Sequence, residues 1–224
     1  LNAFGHEMYS TAEWGTASDP SVIPGYSMML AKDPAFNLQH IEDRTSVIFW
    51  RYIRAHFDGT VDAVRKLASP LFTAELMKNQ ARSREGGWWL CFRDAAVGAV
   101  EVQRISPGAE GGQDGIEVLV RWSARNAQRM KTGQVRSAGD RMIRPMIFRL
   151  VRNAGVRTQA ALSFLSTHCQ GCGAPYEGGD TGSCDYCGRP LNDGSQDWIL
   201  SGIERFDPSR FAAATVEPPQ KRCL

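Results

Sequence analysis

The chain has 224 residues, 42% hydrophobic and 22% charged, with a formal net charge of +2. That length suits one domain with decorations rather than two large ones, the apolar share can fill a core, and the near-neutral balance singles out no partner. No run of eighteen apolar residues occurs, which excludes a membrane-spanning helix in this sequence, and no secretory signal is visible at its start.

In chain order, residues 1–32 carry scattered aromatics and two prolines without a sustained period, and read as an irregular N-terminal arm. "DPAFN" at Asp33–Asn37 reads as a helix start, with a capping residue and Pro in the first turn. Leu38, Ile41, Thr45, Ile48, Phe49, Tyr52 and Ile53 then recur at helical spacing as far as Phe57. "TVDAVRKLAS" reads as a short second helix and "PLFTAELMKNQARSRE" as a third. After "GGWWLCF" the period changes. Ala96–Ile105, Gly115–Ala124, Pro145–Arg152 and Gln196–Phe206 read as four strands. In the second of these, Ile116, Val118, Val120 and Trp122 share one face. Gly98 and Gly202, inside strand patterns, predict bulges or bends. Helices followed by a run of strands predict an α+β fold, with helices on one face of a curved four-stranded antiparallel sheet. The domain spans 33–207, and 208–224 reads as a flexible Pro- and Ala-rich tail.

Four of the six cysteines fall in "CQGCGAPYEGGDTGSCDYCG" as two C-x-x-C-G pairs: Cys169, Cys172, Cys184 and Cys187. Two thiolates two residues apart can grip one tetrahedral ion. Glycine after the second cysteine supplies the positive φ that such a knuckle needs. One structural Zn2+ held by four thiolates is the expectation, in a knuckle spanning 168–191 before the last strand. Iron uses similar knuckles, and a disulfide inside C-x-x-C is a redox geometry rather than a staple. Four thiolates leave no open position for catalysis. Metal binding would supply folding free energy that a long polar loop lacks, and it points to a reducing compartment.

From Cys169 to Ile203 the chain resembles the domain of the mitochondrial import inner membrane translocase subunit 44 and its bacterial relatives. Some of these carry C-x-x-C-G-A-P…G-x-C-x-Y-C-G followed by a D-W-x-L strand. "DPAF" at Asp33–Phe36 is similar to the family's opening, and "MIFRLVR" keeps the character of a family strand at Phe148, Leu150 and Arg152. The resemblance implies a cone-like fold of the nuclear transport factor 2 type with an apolar pocket. It also implies a non-catalytic role at the cytoplasmic face of a bacterial membrane or in the cytoplasm, docking a membrane-protein partner or holding a lipid or other apolar ligand. Met146 and Arg149 depart from the family's residues, so no ligand specificity carries over. The expected pocket wall is Ile116, Val118, Val120 and Trp122, with Phe148 beside them.

Between Arg121 and Arg157 the only acid is Asp140. Arg125, Arg129, Lys131, Arg136, Arg141 and Arg144 therefore form a basic surface, expected on strand ends and the loop between strands two and three. A solvated hairpin paired with acidic helices, an anionic membrane or acidic protein surface, and RNA are all open readings. As catalytic pairs, His40 with Asp43 and His56 with Asp58 match solvent pairs on a helix better than an Asp–His pocket. No phosphate loop, nucleophile elbow or H-E-x-x-H motif is present.

Overall fold

The computed structural model describes residues 19–159 and 167–211. It is an α+β domain. Three helices, α1 (Tyr26–Lys32), α2 (Leu38–Asp58) and α3 (Pro70–Glu85), precede strands β1 (Trp88–Ser106), β2 (Gln113–Met130), β3 (Val135–Asn153) and β4 (Ile199–Arg205). The described strands form one antiparallel meander in the order β1-β2-β3-β4.

Helix α2 begins where the Asn37 side chain accepts the Gln39 N–H, and ends at Gly59 in the left-handed region. Both ends satisfy backbone groups that a helix leaves free. Its buried stripe of Ile41, Thr45, Ile48, Phe49 and Ile53 faces the sheet. In α3, Pro70 holds the first helical position and Ser69 Oγ accepts the Phe72 N–H. In the register, Ile116 lies opposite Leu150 and Val118 opposite Phe148, and the Phe49 ring packs on Trp122 at 5.2 Å and Phe148 at 6.2 Å. Burying a side chain of this size contributes about 1.5–3 kcal/mol.

Gly98 falls in the register shift between Val97 and Ala99, and Gly202 beside the one between Arg149 and Leu150, as their positions predict. The free side of β1 is met near its C-terminal end. Its Ile105 N–H donates to Pro24 O, its Val102 N–H reaches the Glu42 carboxylate, and three register shifts break its line. On β4, Leu200 O accepts from Ser69. Such devices stop edge-to-edge association.

Several expectations are corrected. The arm is not irregular throughout: Tyr26–Lys32 is helical and Met29 is fully buried, while residues 1–18 lie outside the described residues. Asp33 does not cap α2; Asn37 does, because Asp33 is turned inward to Arg152 and Thr158. The second predicted helix is only a single 3-10 turn at Arg65–Leu67. The strands run longer than predicted, and β1 takes in "WWLCF". The basic stretch is not a loop, since β2 and β3 continue through it as a hairpin to a turn at 131–134. The tail is structured as far as Phe211, where a 3-10 turn lets Phe211 stack on Phe206 at 5.5 Å; residues 212–224 lie outside the described residues.

Gly25 precedes α1 at φ +84°, and a Cβ there would lie 1.9 Å from Ile105 O. Gly111 has φ +76° and open space around it. Gly25→Ala is expected to destabilise the fold by more than about 2 kcal/mol and Gly111→Ala by about 1 kcal/mol. Urea unfolding of the two variants measures the difference.

Candidate metal centre

The ribbon between β3 and β4 is built twice. In its first half Cys169 N–H donates to Ala174 O, Gly173 N–H to Cys169 O and Tyr176 N–H to Thr167 O. Fifteen residues on, Cys184 donates to Arg189, Gly188 to Cys184 and Leu191 to Gly182. Bridges between His168 and Pro175 and between Ser183 and Pro190 repeat at the same offset. Gly173 and Gly188 have φ of +71° and +69°, so the glycine after each C-x-x-C is required by the backbone. The repeat was readable beyond the cysteines, as C-x-x-C-G-x-P followed by a large apolar residue. Tyr176 and Leu191 are those apolar residues, and both are buried.

The two turns bring the four sulfurs within 4.8 Å of one another. Cys169 Sγ lies 3.7 Å from Cys187 Sγ, and Cys172 Sγ 3.8 Å from Cys184 Sγ. These are not disulfide distances. A tetrahedron with metal–sulfur bonds of about 2.3 Å has edges of roughly 3.8 Å, so the four thiols could hold one metal ion. The first cysteine of each pair is buried and the second exposed. Burial pushes the Cys169 thiol up to about 12, whereas backbone N–H groups of Cys187 and Tyr186 bring Cys184 down to about 7. His168 offers no fifth ligand among these groups.

The ribbon is tied to the helices. Gly179 N–H donates to Asp62 O, and buried Lys66 reaches Asp185, between the second pair of cysteines, at 2.5 Å. The Gln196 side chain touches Cys169 Sγ at 3.6 Å and donates to Pro190 O, so one amide spans both knuckles. The next two residues enter the core. Asp197 pairs with Arg44 of α2 at 2.9 Å and lies 3.5 Å from His40. Trp198 is stacked under the Arg152 guanidinium at 4.5 Å, and Arg152 in turn pairs with Asp33 and Asp114.

No family model matches the chain, and no curated protein matches it. Among solved structures, the intermembrane space region of chloroplast protein ARC6 aligns with 76% of this chain and 97% of its own. Identity is 9% and the TM-score 0.39, too low to carry over a fold.

The other expected sites sort as follows. Ile116, Val118, Val120, Trp122 and Phe148 share a face, but all are buried in the core, where α2 fills the space an open pocket would need. The nearby surface cleft, about 230 Å3, lies between α2, α3 and the β3–β4 edge and uses none of them. Asp43 accepts from Gln39. The Asp–His contact that exists, His40 with Asp197, was invisible in sequence because 157 positions separate the two. Both are buried, which suits a structural lock. His56 is packed between Tyr52 and Phe92, and burial pulls it down to about 4, so it stays neutral.

Much of the basic surface is already partnered. Arg121 pairs with Glu101, Arg125 with Asp94 and Arg129 with Asp58, while Arg129 also lies over Phe57. Arg144 sits against Phe92 and Trp122 and donates to Asn126. Arg136 and Arg141 bond only to the neutral groups of Gln134 and Ser123. Together with Lys131 they form no ion pair among the described residues; Lys131 and Arg136 flank the turn, and Arg141 lies farther along β3.

Metal capture must expel the protons held on these thiols, Cys169 above all. Affinity is therefore expected to fall as pH is lowered from 8 to 6, with protons released on binding. Isothermal titration in buffers of different ionisation enthalpy measures that release. Asp197→Asn is expected to destabilise the protein by about 3–5 kcal/mol, because it leaves Arg44 buried without its partner; denaturant unfolding measures it.

Proposed function

We propose that this protein is a non-catalytic docking module working beside a membrane. One structural zinc clips it together, and its contact surface is the far end of the β2–β3 hairpin. The carrying observation is the set of three cations without a carboxylate, Lys131, Arg136 and Arg141, beside exposed Met142 (53% accessible) and Ile143 (78%). Met142 and Ile143 are exposed on opposite faces of β3, so the reading rests on the cations, and an acidic protein surface is what would pair them. Zinc is the ion that four thiolates at tetrahedral spacing favour in a closed, non-catalytic site. The long bulged strands wrapped against α2 are compatible with a cone-like sheet. The ligand-binding reading has weaker support, because the residues expected to wall the pocket pack against one another. RNA is also less favoured, because Trp122 and Phe148 are buried and offer no stacking platform.

The test compares wild type with the triple variant Lys131→Glu, Arg136→Glu, Arg141→Glu. Three probes are used: poly-L-glutamate as a stand-in for an acidic protein, phosphatidylserine vesicles, and uridine homopolymer RNA. The variant is expected to keep its zinc and its unfolding temperature while losing about 30-fold or more in salt-sensitive affinity for poly-L-glutamate. RNA or vesicle binding that outlasts poly-L-glutamate binding as salt rises would overturn the reading.

A further inference from the structure

Beyond the charges, the hairpin has a feature that selects among partners. β4 pairs with β3 only from Met146 to Val151, and the last bond on that side runs from Phe206 N–H to Pro145 O. The chain then turns away at Asp207–Pro208. β3 itself continues back to Val135, paired on its other side with β2 except at Gly139 and Asp140. Backbone groups of alternate residues face the same side of an antiparallel strand. With Pro145 facing β4, the N–H and C=O of Ile143 and Arg141 face outward, and no described residue pairs with them. Pro24, Glu42 and Ser69 meet parts of the sheet's other free edges, at Ile105, Val102 and Leu200. The stretch at 141–143 is left open just where β4 stops.

We infer that these open rungs, with the cations around them, accept an extended acidic segment of a partner protein as an added strand continuing the line of β4. The inference rests on the hairpin being the contact surface. Strand addition draws its affinity from main-chain hydrogen bonds and its specificity from alternate side chains. On the partner, a residue beside Arg141 would be Asp or Glu, and a residue beside Ile143 would be aliphatic. The same cations exclude another copy of this chain, since two such edges running antiparallel would bring arginine against arginine. The Gly139–Asp140 irregularity, with Gly139 at φ +80°, ends the straight part of the edge and limits the added strand to a short one. Lipid headgroups carry the charge but offer no regular ladder of amide donors and acceptors, so the rungs favour a peptide over a bilayer.

The probe is a synthetic peptide of about ten residues with Thr at every second position and Glu and Val taking turns at the positions between, so that one face offers both an acid and an aliphatic residue. It is compared with two forms N-methylated at every second residue, one on each edge of the peptide. If the inference holds, methylation of one edge weakens binding at least about tenfold and methylation of the other leaves it unchanged. The unmodified peptide should also slow hydrogen exchange at Arg141 and Ile143. Arg141→Glu should weaken both the unmodified peptide and the tolerated methylated form. Equal binding of all three peptides would overturn strand addition while leaving the charged contact surface standing. No binding of any form, under conditions where poly-L-glutamate binds, would also overturn it. Failure of poly-L-glutamate as well would remove the contact surface itself. Exchange slowed by phosphatidylserine vesicles but not by the peptide would assign the edge to a bilayer and overturn the inference.

Discussion

The buried pair between Arg44 and Asp197 is the joint at which the helical half of the molecule, the cysteine ribbon and the last strand meet. Arg44 comes from the middle of α2, and only 2% of its side chain and 11% of that of Asp197 are accessible. Taking both charges out of water costs several kcal/mol each, so the pair is tolerable only with hydrogen bonds to support it. Trp198 supplies two of them, while Asp197 Oδ2 has its ion-pair contact with Arg44 but no hydrogen bond. Arg44 Nε donates to Trp198 O at 2.5 Å, and Asp197 Oδ1 accepts the Trp198 N–H at 2.8 Å. Tyr176, at the end of the first knuckle, also interacts with Arg44. Burial alone would raise the Asp197 carboxyl, but Arg44 and His40 outweigh it and hold the group below the usual carboxylate range. The pair's contribution is thus present at neutral pH and is lost in acid below the ordinary aspartate pKa, as the folded carboxyl takes up its proton.

The cysteine ribbon was legible because its chemistry is local. Two thiols in one turn and a glycine to close it leave a mark within five residues. The α+β order was legible for the same reason, since α2 carries its own period and β2 its own alternation. What escaped was set by distance. Asp33 has the form of a helix cap, yet Arg152 lies 119 positions away and takes its carboxylate. The alternating face Ile116–Trp122 was read correctly as apolar, but alternation cannot say whether the opposing layer stands off from that face or fills it. Here Phe49 and its neighbours fill it.

The hairpin escaped for another reason. From Arg125 to Arg144 polar and charged residues sit on both faces, so no period of two survives, and the stretch imitates a loop. The backbone ladder alone carries the strands there, helped by arginines that lie along aromatic rings with their charged ends outward. Arg129 over Phe57 and Arg144 over Phe92 and Trp122 act as packing residues, which a count of charge cannot reveal. Charge counting marked the region as basic; ion pairing decides which few of those charges remain available.

The position of the ribbon also bears on the order in which the chain comes together. β1, β2 and β3 are consecutive hairpin partners and can zip from their turns, whereas β4 must return across the whole segment from Asn153 to Ile199. Joining Cys169 to Cys187 through an ion removes the stretch between them from that search. In loop-closure terms this saves only about half a kcal/mol. The larger effect is that Tyr176, Leu191 and Gln196 arrive already assembled as a docking face, so β4 is delivered to β3 with its anchors in place. If the four thiols take an ion, assembly of β4 onto β3 is tied to its supply, and a chain without it would leave the outer side of β3 open to misassociation for longer.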